Sequence, residues 1–183
     1  MRLLKNGEIF DDTWIELDDD ETPPQGADII VTADRLAAEF KTLMLHNGQL
    51  AVALPNDRSV DEIADFLDAL DAVVLDFPSF ADGRAYSQAR QLRGRQGYRG
   101  ELRAAGNVLP DQLAFMRQCG LDTFEVHDRF DLAVWQRAAT AMTVTYQSGY
   151  VPDRGFAPAD VWSAREGRVD DTLRSDYEEV WTA

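Results

Sequence analysis

Asp76, Asp82, Arg84, Asn107 and His127 each come just after a short apolar run, and Arg103 lies inside another such run. In parallel α/β folds, loops and helix N-termini converge at the carboxyl ends of strands and hold ligands there. These side chains, with Asp57, Arg58, Gly106, Asp128 and Arg129 beside them, are therefore expected along one rim. Two carboxylates and an imidazole are the parts of acid–base catalysis, which makes Asp76, Asp82 and His127 the candidate catalytic residues. An arginine at a helix N-terminus offers a planar fork of donors to an oxyanion. The candidate ligand-binding set is Asp82, Gly83, Arg84, Ser87, Arg90, Arg93, Arg103 and Asn107.

Each member has a plainer role to set beside this one. Asp76 or Asp82 can cap the next helix, and His127 can be a hydrogen-bonded surface residue. His46 falls at the end of a predicted helix, where the dipole favours a cation. Cys119 precedes a helix-ending glycine, a position that does not lower a thiol's pKa, and is expected to be buried filler.

Charge sharpens the question. The 183-residue chain has 18 basic and 33 acidic side chains, a net charge of -15. Residues 84–103 nevertheless carry Arg84, Arg90, Arg93, Arg95, Arg99 and Arg103 against Glu101 alone, and only Lys5 and Lys41 are lysines in the whole chain. These arginines either form an anion site or pair with the chain's own surplus carboxylates, as surface ions commonly do. The acidic balance argues against nonspecific binding to nucleic acid or an anionic membrane. One cysteine excludes an internal disulfide framework and cannot alone make a zinc or iron–sulfur site. No apolar run reaches the ~20 residues of a membrane span, and the start of the chain lacks a signal-peptide pattern, so a cytoplasmic protein is expected. No metal site is read in Asp18-Asp19-Asp20, which lacks the alternation of a calcium loop. Nucleotide and flavin fingerprints, the Walker loop, the nucleophile elbow and the His-Glu-x-x-His pattern are also missing from the sequence. The cofactor is left unknown, with no nucleotide, flavin, metal or iron–sulfur motif to name one.

The elements that must position these residues read as repeated βα units. Asn6-Gly7 between Leu3-Leu4 and Ile9-Phe10 is a two-residue hairpin signal. Trp14, Ile15 and Leu17 extend the second strand or start a third, and residues 18–26 form a solvated linker. Ile29-Ile30-Val31 is a strand, Thr32 caps a helix that turns Leu36, Phe40, Leu43 and Met44 inward, and residues 50–54 are a strand. Ser59 and Glu62 form a capping box before a helix over Ile63, Phe66, Leu67 and Leu70. Strands at 72–75, 102–105, 123–126 and 143–146 alternate with helices near 85–97, 110–120 and 132–139. The fold class is α/β: a mostly parallel open sheet or half-barrel with an N-terminal β-hairpin over 1–17. About five such units are too few to close an eight-stranded barrel. Residues 1–150 read as one domain. Residues 151–183 read as an acidic, extended arm with Phe156, Trp162, Tyr177 and Trp181, with one short helix near 171–180, docked on the domain or on a partner.

The block Asp76-Phe77-Pro78-Ser79-Phe80-Ala81-Asp82-Gly83-Arg84-Ala85-Tyr86-Ser87, followed by Ala89-Arg90-Gln91-Leu92-Arg93, resembles the bacterial family called domain of unknown function 934. The resemblance continues through residues 97–109 and 111–120, and with Lys5-Asn6-Gly7 and Thr13-Trp14 it covers roughly residues 3–147. Asn107 stands where that family usually has aspartate, which weakens this position as an acid or base. The resemblance implies a protein linked to assimilatory sulfate reduction and described as an oxidoreductase of the sulfite step. Three readings follow. One is an accessory protein of sulfite reduction that acts with sulfite reductase or a related sulfur-assimilation protein. Another is an enzyme or sensor binding sulfite, sulfate or adenylyl sulfate at Asp82-Gly83-Arg84 and Arg103. The third is a half-barrel that pairs as a homodimer to complete a ring.

Overall fold

A computed structural model of the chain describes residues 1–127, 129–140, 149–151 and 155–157. Asn6 and Gly7 both take positive φ, 53° and 86°, the geometry of a tight primed turn. They join β1 (Arg2–Lys5) to β2 (Glu8–Asp11) in the expected hairpin. Then come β3 (Ile15–Glu16), β4 (Ile29–Thr32), α1 (Ala33–Leu43), β5 (Leu50–Leu54) and β6 (Ala72–Phe77). The chain continues through α2 (Arg84–Gly94), β7 (Glu101–Gly106), α3 (Leu113–Cys119), β8 (Thr123–Val126) and α4 (Leu132–Thr140).

Strands β3 to β8 lie side by side in chain order and run parallel; β1 then pairs antiparallel with β8, and β2 forms the far edge. Right-handed crossovers between sequential neighbours all fall on one face. The helices therefore make a single layer, and the sheet curls into the half-barrel rather than the open-sheet alternative. Ile29, Val52, Leu75, Leu102 and Phe124 point into the helix layer and meet Leu36, Ile63, Leu92, Met116 and Trp135 in the main core. The concave face carries a smaller apolar group of Ile30, Ala51, Ala72 and Val74, capped by Trp14.

Residues 12–14 connect the two edges of this sheet. Laid flat, eight strands would set β2 and β3 about 34 Å apart at ~4.8 Å per spacing. The four Cα steps from Asp11 to Ile15 reach at most about 14 Å. The sheet must therefore curl until its edges approach, and the short strap between them passes over the concave face. Asp12 N–H donates to the Met1 carbonyl at 2.9 Å and Ile15 N–H to that of Asp28 at 2.9 Å, so both ends of the strap are fixed.

Several local expectations are corrected. The capping box forms at Ser59, but it opens two 3₁₀ segments, Val60–Glu62 and Ala64–Ala69, rather than an α-helix. Val60, Ile63 and Phe66, like Leu67 and Leu70, repeat every third residue, and i and i+3 line up in a 3₁₀ turn. Met44 is the C-cap residue of α1 and is exposed instead of facing the core with Leu36 and Leu43. Residues 18–26 are tethered: buried Arg35 donates to the carbonyls of Asp18 at 2.5 Å and Glu21 at 2.6 Å, and Thr32 Oγ1 donates to Asp19 at 2.7 Å. The stretch 102–105, weak as a strand in sequence, lies in a six-residue central strand.

The boundary expected at 150 falls inside a two-stranded antiparallel ribbon, β9 (Gly149–Val151) with β10 (Gly155–Ala157), and β9 lies against α3. The strand expected at 143–146, the helix near 171–180 and Trp162, Tyr177 and Trp181 lie outside the described residues.

Candidate functional site

Side chains alternate across a strand, so register decides which of them meet. Asp76 on β6 pairs with Ala105 on β7, and Arg103 pairs with Val74 on one side and Thr123 on the other. Extending that register sets Glu125 of β8 on the far side of Ala105. The carboxyl half of the concave face thus has a floor of Arg103 and Thr123, 1% and 0% exposed. Around it stands a half-buried wall of Asp76, Ala105, Glu125 and His127.

The floor is built around Arg103. Its Nη1 donates to Asp12 Oδ2 at 3.0 Å, and its guanidinium carbon lies 5.5 Å from the centre of the Trp14 ring. Nη2 stands 3.6 Å from Glu101 Oε1, and Lys5 Nζ reaches the same side chain at 2.5 Å. Arg103 Nε and Thr123 Oγ1 are buried without a hydrogen-bond partner.

The wall is organised by Gly106. Its N–H donates to Glu125 Oε2 at 2.9 Å, and its carbonyl accepts from His127 Nε2. Because a carbonyl only accepts, Nε2 is the donor in this bond. Gly106 has φ of 85°, and a Cβ there would lie 2.7 Å from Asp76 Oδ1 and 2.9 Å from the Phe77 carbonyl. Only glycine permits both the backbone conformation and the approach. Asn107 N–H then donates to the Phe77 carbonyl at 2.7 Å, while its Oδ1 accepts from Arg129 Nη2 at 2.5 Å.

Burial raises the pKa of the Asp76 carboxyl, and the charge of Asp82 adds to the rise. Glu125 is also raised, by burial, against the opposing pulls of the Gly106 N–H and Arg103. Asp76 and Glu125 can thus keep a proton to higher pH than ordinary carboxyls, beside the His127 imidazole. That combination suits proton exchange with a bound polar group.

The other candidates go elsewhere. Arg84 is exposed and already held by Asp82: its Nε and Nη2 donate to Oδ1 at 3.0 Å and Oδ2 at 2.7 Å. Arg84 in turn keeps the Asp82 carboxyl well below the usual range. Gly83 is the N-cap residue of α2, and Ser87 and Arg90 lie exposed along that helix. Arg93 sits at the opposite end of the helix, where it donates to the carbonyls of Gly120 at 2.9 Å, Tyr98 at 2.8 Å and Gly100 at 2.8 Å, and pairs with Asp122. It clamps the amino ends of β7 and β8. The ligand set read from sequence is therefore spread over three places: a rim, a buried floor and the far end of the sheet. Arg58, beside Asp57, holds Asp34 and Glu62. His46 Nε2 pairs with the Ala27 carbonyl at 2.6 Å, Cys119 is buried, and Asp128 lies outside the described residues.

Sequence reasoning missed Glu125, Asp12 and Trp14. For Glu125 a signal exists: parallel strands covered on both faces read as continuous apolar runs, and Asp76, Arg103 and Glu125 interrupt three neighbouring runs. No comparable signal marks Asp12 and Trp14, because the strap reaches the site from the opposite end of the chain. Among the described residues no cluster of His, Cys, Asp and Glu is arranged to hold a metal ion, and no helix is long and apolar enough to cross a membrane.

A family model described as a bacterial protein of unknown function, DUF934, matches residues 51–156. That span carries Asp76, Arg103, Glu125 and His127 but not the strap. No curated protein matches the chain.

Proposed function

The chain belongs to the bacterial DUF934 family, and from that membership we propose that it is an accessory protein of assimilatory sulfate reduction, acting at the sulfite-reduction step with sulfite reductase. The link to sulfite reduction comes from the resemblance of the middle block. The observation that carries the accessory reading is where the arginines go. Arg84 is spent on Asp82, Arg93 on three carbonyls and Asp122, and Arg103 on Asp12. Three of the six arginines that suggested an oxyanion site are thereby engaged within the fold. The remaining excess is negative, -15 over the chain, and an acidic surface guides association with a basic partner face.

The test is a tagged full-length chain expressed in its own bacterial host at native level. Co-purification of sulfite reductase, with impaired sulfite reduction in the deletion strain, is the expected result. Normal sulfite-reducing activity in the deletion strain rejects the proposal.

A further inference from the structure

We propose that the segment following β10 runs back along the outer seam between α2 and α3 and seats the Trp162 ring on the Tyr86–Phe115 ring pair.

The seam carries a row of aromatic rings that leads from the core to the surface. Buried Phe77 meets half-buried Tyr86 edge to face with ring centres 5.0 Å apart, and Tyr86 meets Phe115 at 4.8 Å. Phe115 is 50% exposed, so its outer side is open to a further ring. Aromatic rings attract one another at centre distances of about 4.5–7 Å, and the row ends in want of a neighbour.

The β9–β10 ribbon brings the chain to this place. β9 lies against α3 and β10 against α2, so the ribbon straddles the two helices. Gly149 is set so close to α3 that a Cβ there would lie 3.3 Å from Gln118 Cγ. Tyr150 lies over Arg93, its ring centre 4.9 Å from the guanidinium carbon, and Arg99 Nη1 donates to its Oη at 3.4 Å. Ala157, the last residue of β10, pairs with Gly149. The chain therefore leaves the ribbon beside Gln118, about one helical turn from Phe115 on the same face of α3.

Reach and charge select the occupant. Trp162 is five residues beyond Ala157, and five extended residues span up to about 17 Å. One helical turn and one strand spacing together need only about 10 Å. Of the aromatic residues that follow β10, Trp162 has the shortest tether, and a short loop costs least to close. Between them, Pro158, Ala159 and Val161 are apolar and Asp160 is the single charge. α2 carries Arg84, Arg90 and Arg93 and no acidic side chain, and Arg95 caps it. Residues 158–183 carry seven acidic side chains against three basic ones. The anionic segment thus passes a cationic helix, a complementary pair. This inference is independent of the partner reading above: a failed co-purification leaves it standing, and a solvent-exposed Trp162 leaves the co-purification as it is.

The experiment is NMR of the full chain labelled with ¹³C and ¹⁵N, its Trp162 indole signal assigned from Trp162→Phe. Nuclear Overhauser contacts from that indole to the Phe115 and Tyr86 rings are expected. Phe115→Ser should abolish them and move the Trp162 signal to the position of free indole, while the signal of buried Trp135 stays in place. Trp162→Ala should shift the Phe115 ring resonances, and serves if Phe115→Ser does not fold. A Trp162 indole at the free position in the full chain overturns the proposal. A folded Phe115→Ser chain whose Trp162 signal has not moved does the same. Contacts that fade on about tenfold dilution would come from a second copy and overturn it equally.

Discussion

Asp12 Oδ2 lies 3.0 Å from Arg103 Nη1, ninety-one residues away in sequence, and this contact fastens the edge-joining strap to the centre of the concave face. Both side chains are largely removed from water, at 11% and 1% side-chain exposure. Breaking such a pair from one side strands the other charge, which costs more than the pair itself contributes.

Asp12→Ala should therefore destabilise the chain by about 3 kcal/mol, measured by urea unfolding. The double variant Asp12→Ala with Arg103→Met removes the stranded charge and should recover part of that loss. Equal destabilisation in the two variants would mean that Arg103 is not confined by Asp12.

Arg93 and Arg84 belong to one helix but should respond very differently. Arg93→Met removes four partners at a buried clamp and should cost about 3 kcal/mol or more. Arg84→Ala removes an exposed pair with Asp82, two residues before it in sequence, and should leave the urea midpoint nearly unchanged. Urea midpoints of the two variants decide the matter. Similar losses would contradict the placement of Arg93 as the structural arginine of α2.

Gly106→Ala forces a Cβ against Asp76 Oδ1 and the Phe77 carbonyl at a positive φ. It should cost at least about 2 kcal/mol, strain and collision together. Gly97 also has a positive φ, 67°, but a methyl added there would meet nothing within 4 Å, so Gly97→Ala should cost only about 1 kcal/mol. Thermal unfolding of the two variants separates the close approach from backbone conformation alone.

The pH response isolates Asp76. Its folded pKa is raised above the ordinary 3.8 by burial and by Asp82, so in that window the folded chain binds more protons than the unfolded one. Its contribution to stability therefore falls as pH rises from about 4 toward the folded pKa. Asp76→Asn removes this effect. The variant should gain stability relative to the parent as pH rises above about 4, with the gain flat once the folded pKa is passed. Paired urea titrations from pH 4 to 7, about a unit apart, give that difference directly, and a stability difference that does not change with pH overturns it.

How much was legible in advance depends on the range of the interaction involved. Asn6-Gly7, the Thr32 cap, the Ser59 capping box and the stop at Gly120 are all set within a few residues. Local backbone chemistry therefore determined them, and the alternating apolar runs determined a parallel α/β sheet. The choice of half-barrel over open sheet required knowing which strands are neighbours. The site needed still more. Arg84, Arg93 and Arg103 are close in sequence, yet α2 carries the first two to opposite ends and β7 turns the third onto the other face of the sheet. The strap with Asp12 and Trp14, Asp76 on β6, and Glu125 with His127 at β8 come from three distant parts of the sequence, but strand register and the strap bring them onto one face. Helix direction, sheet face and register all follow from packing between distant segments, and only the tertiary structure could decide them.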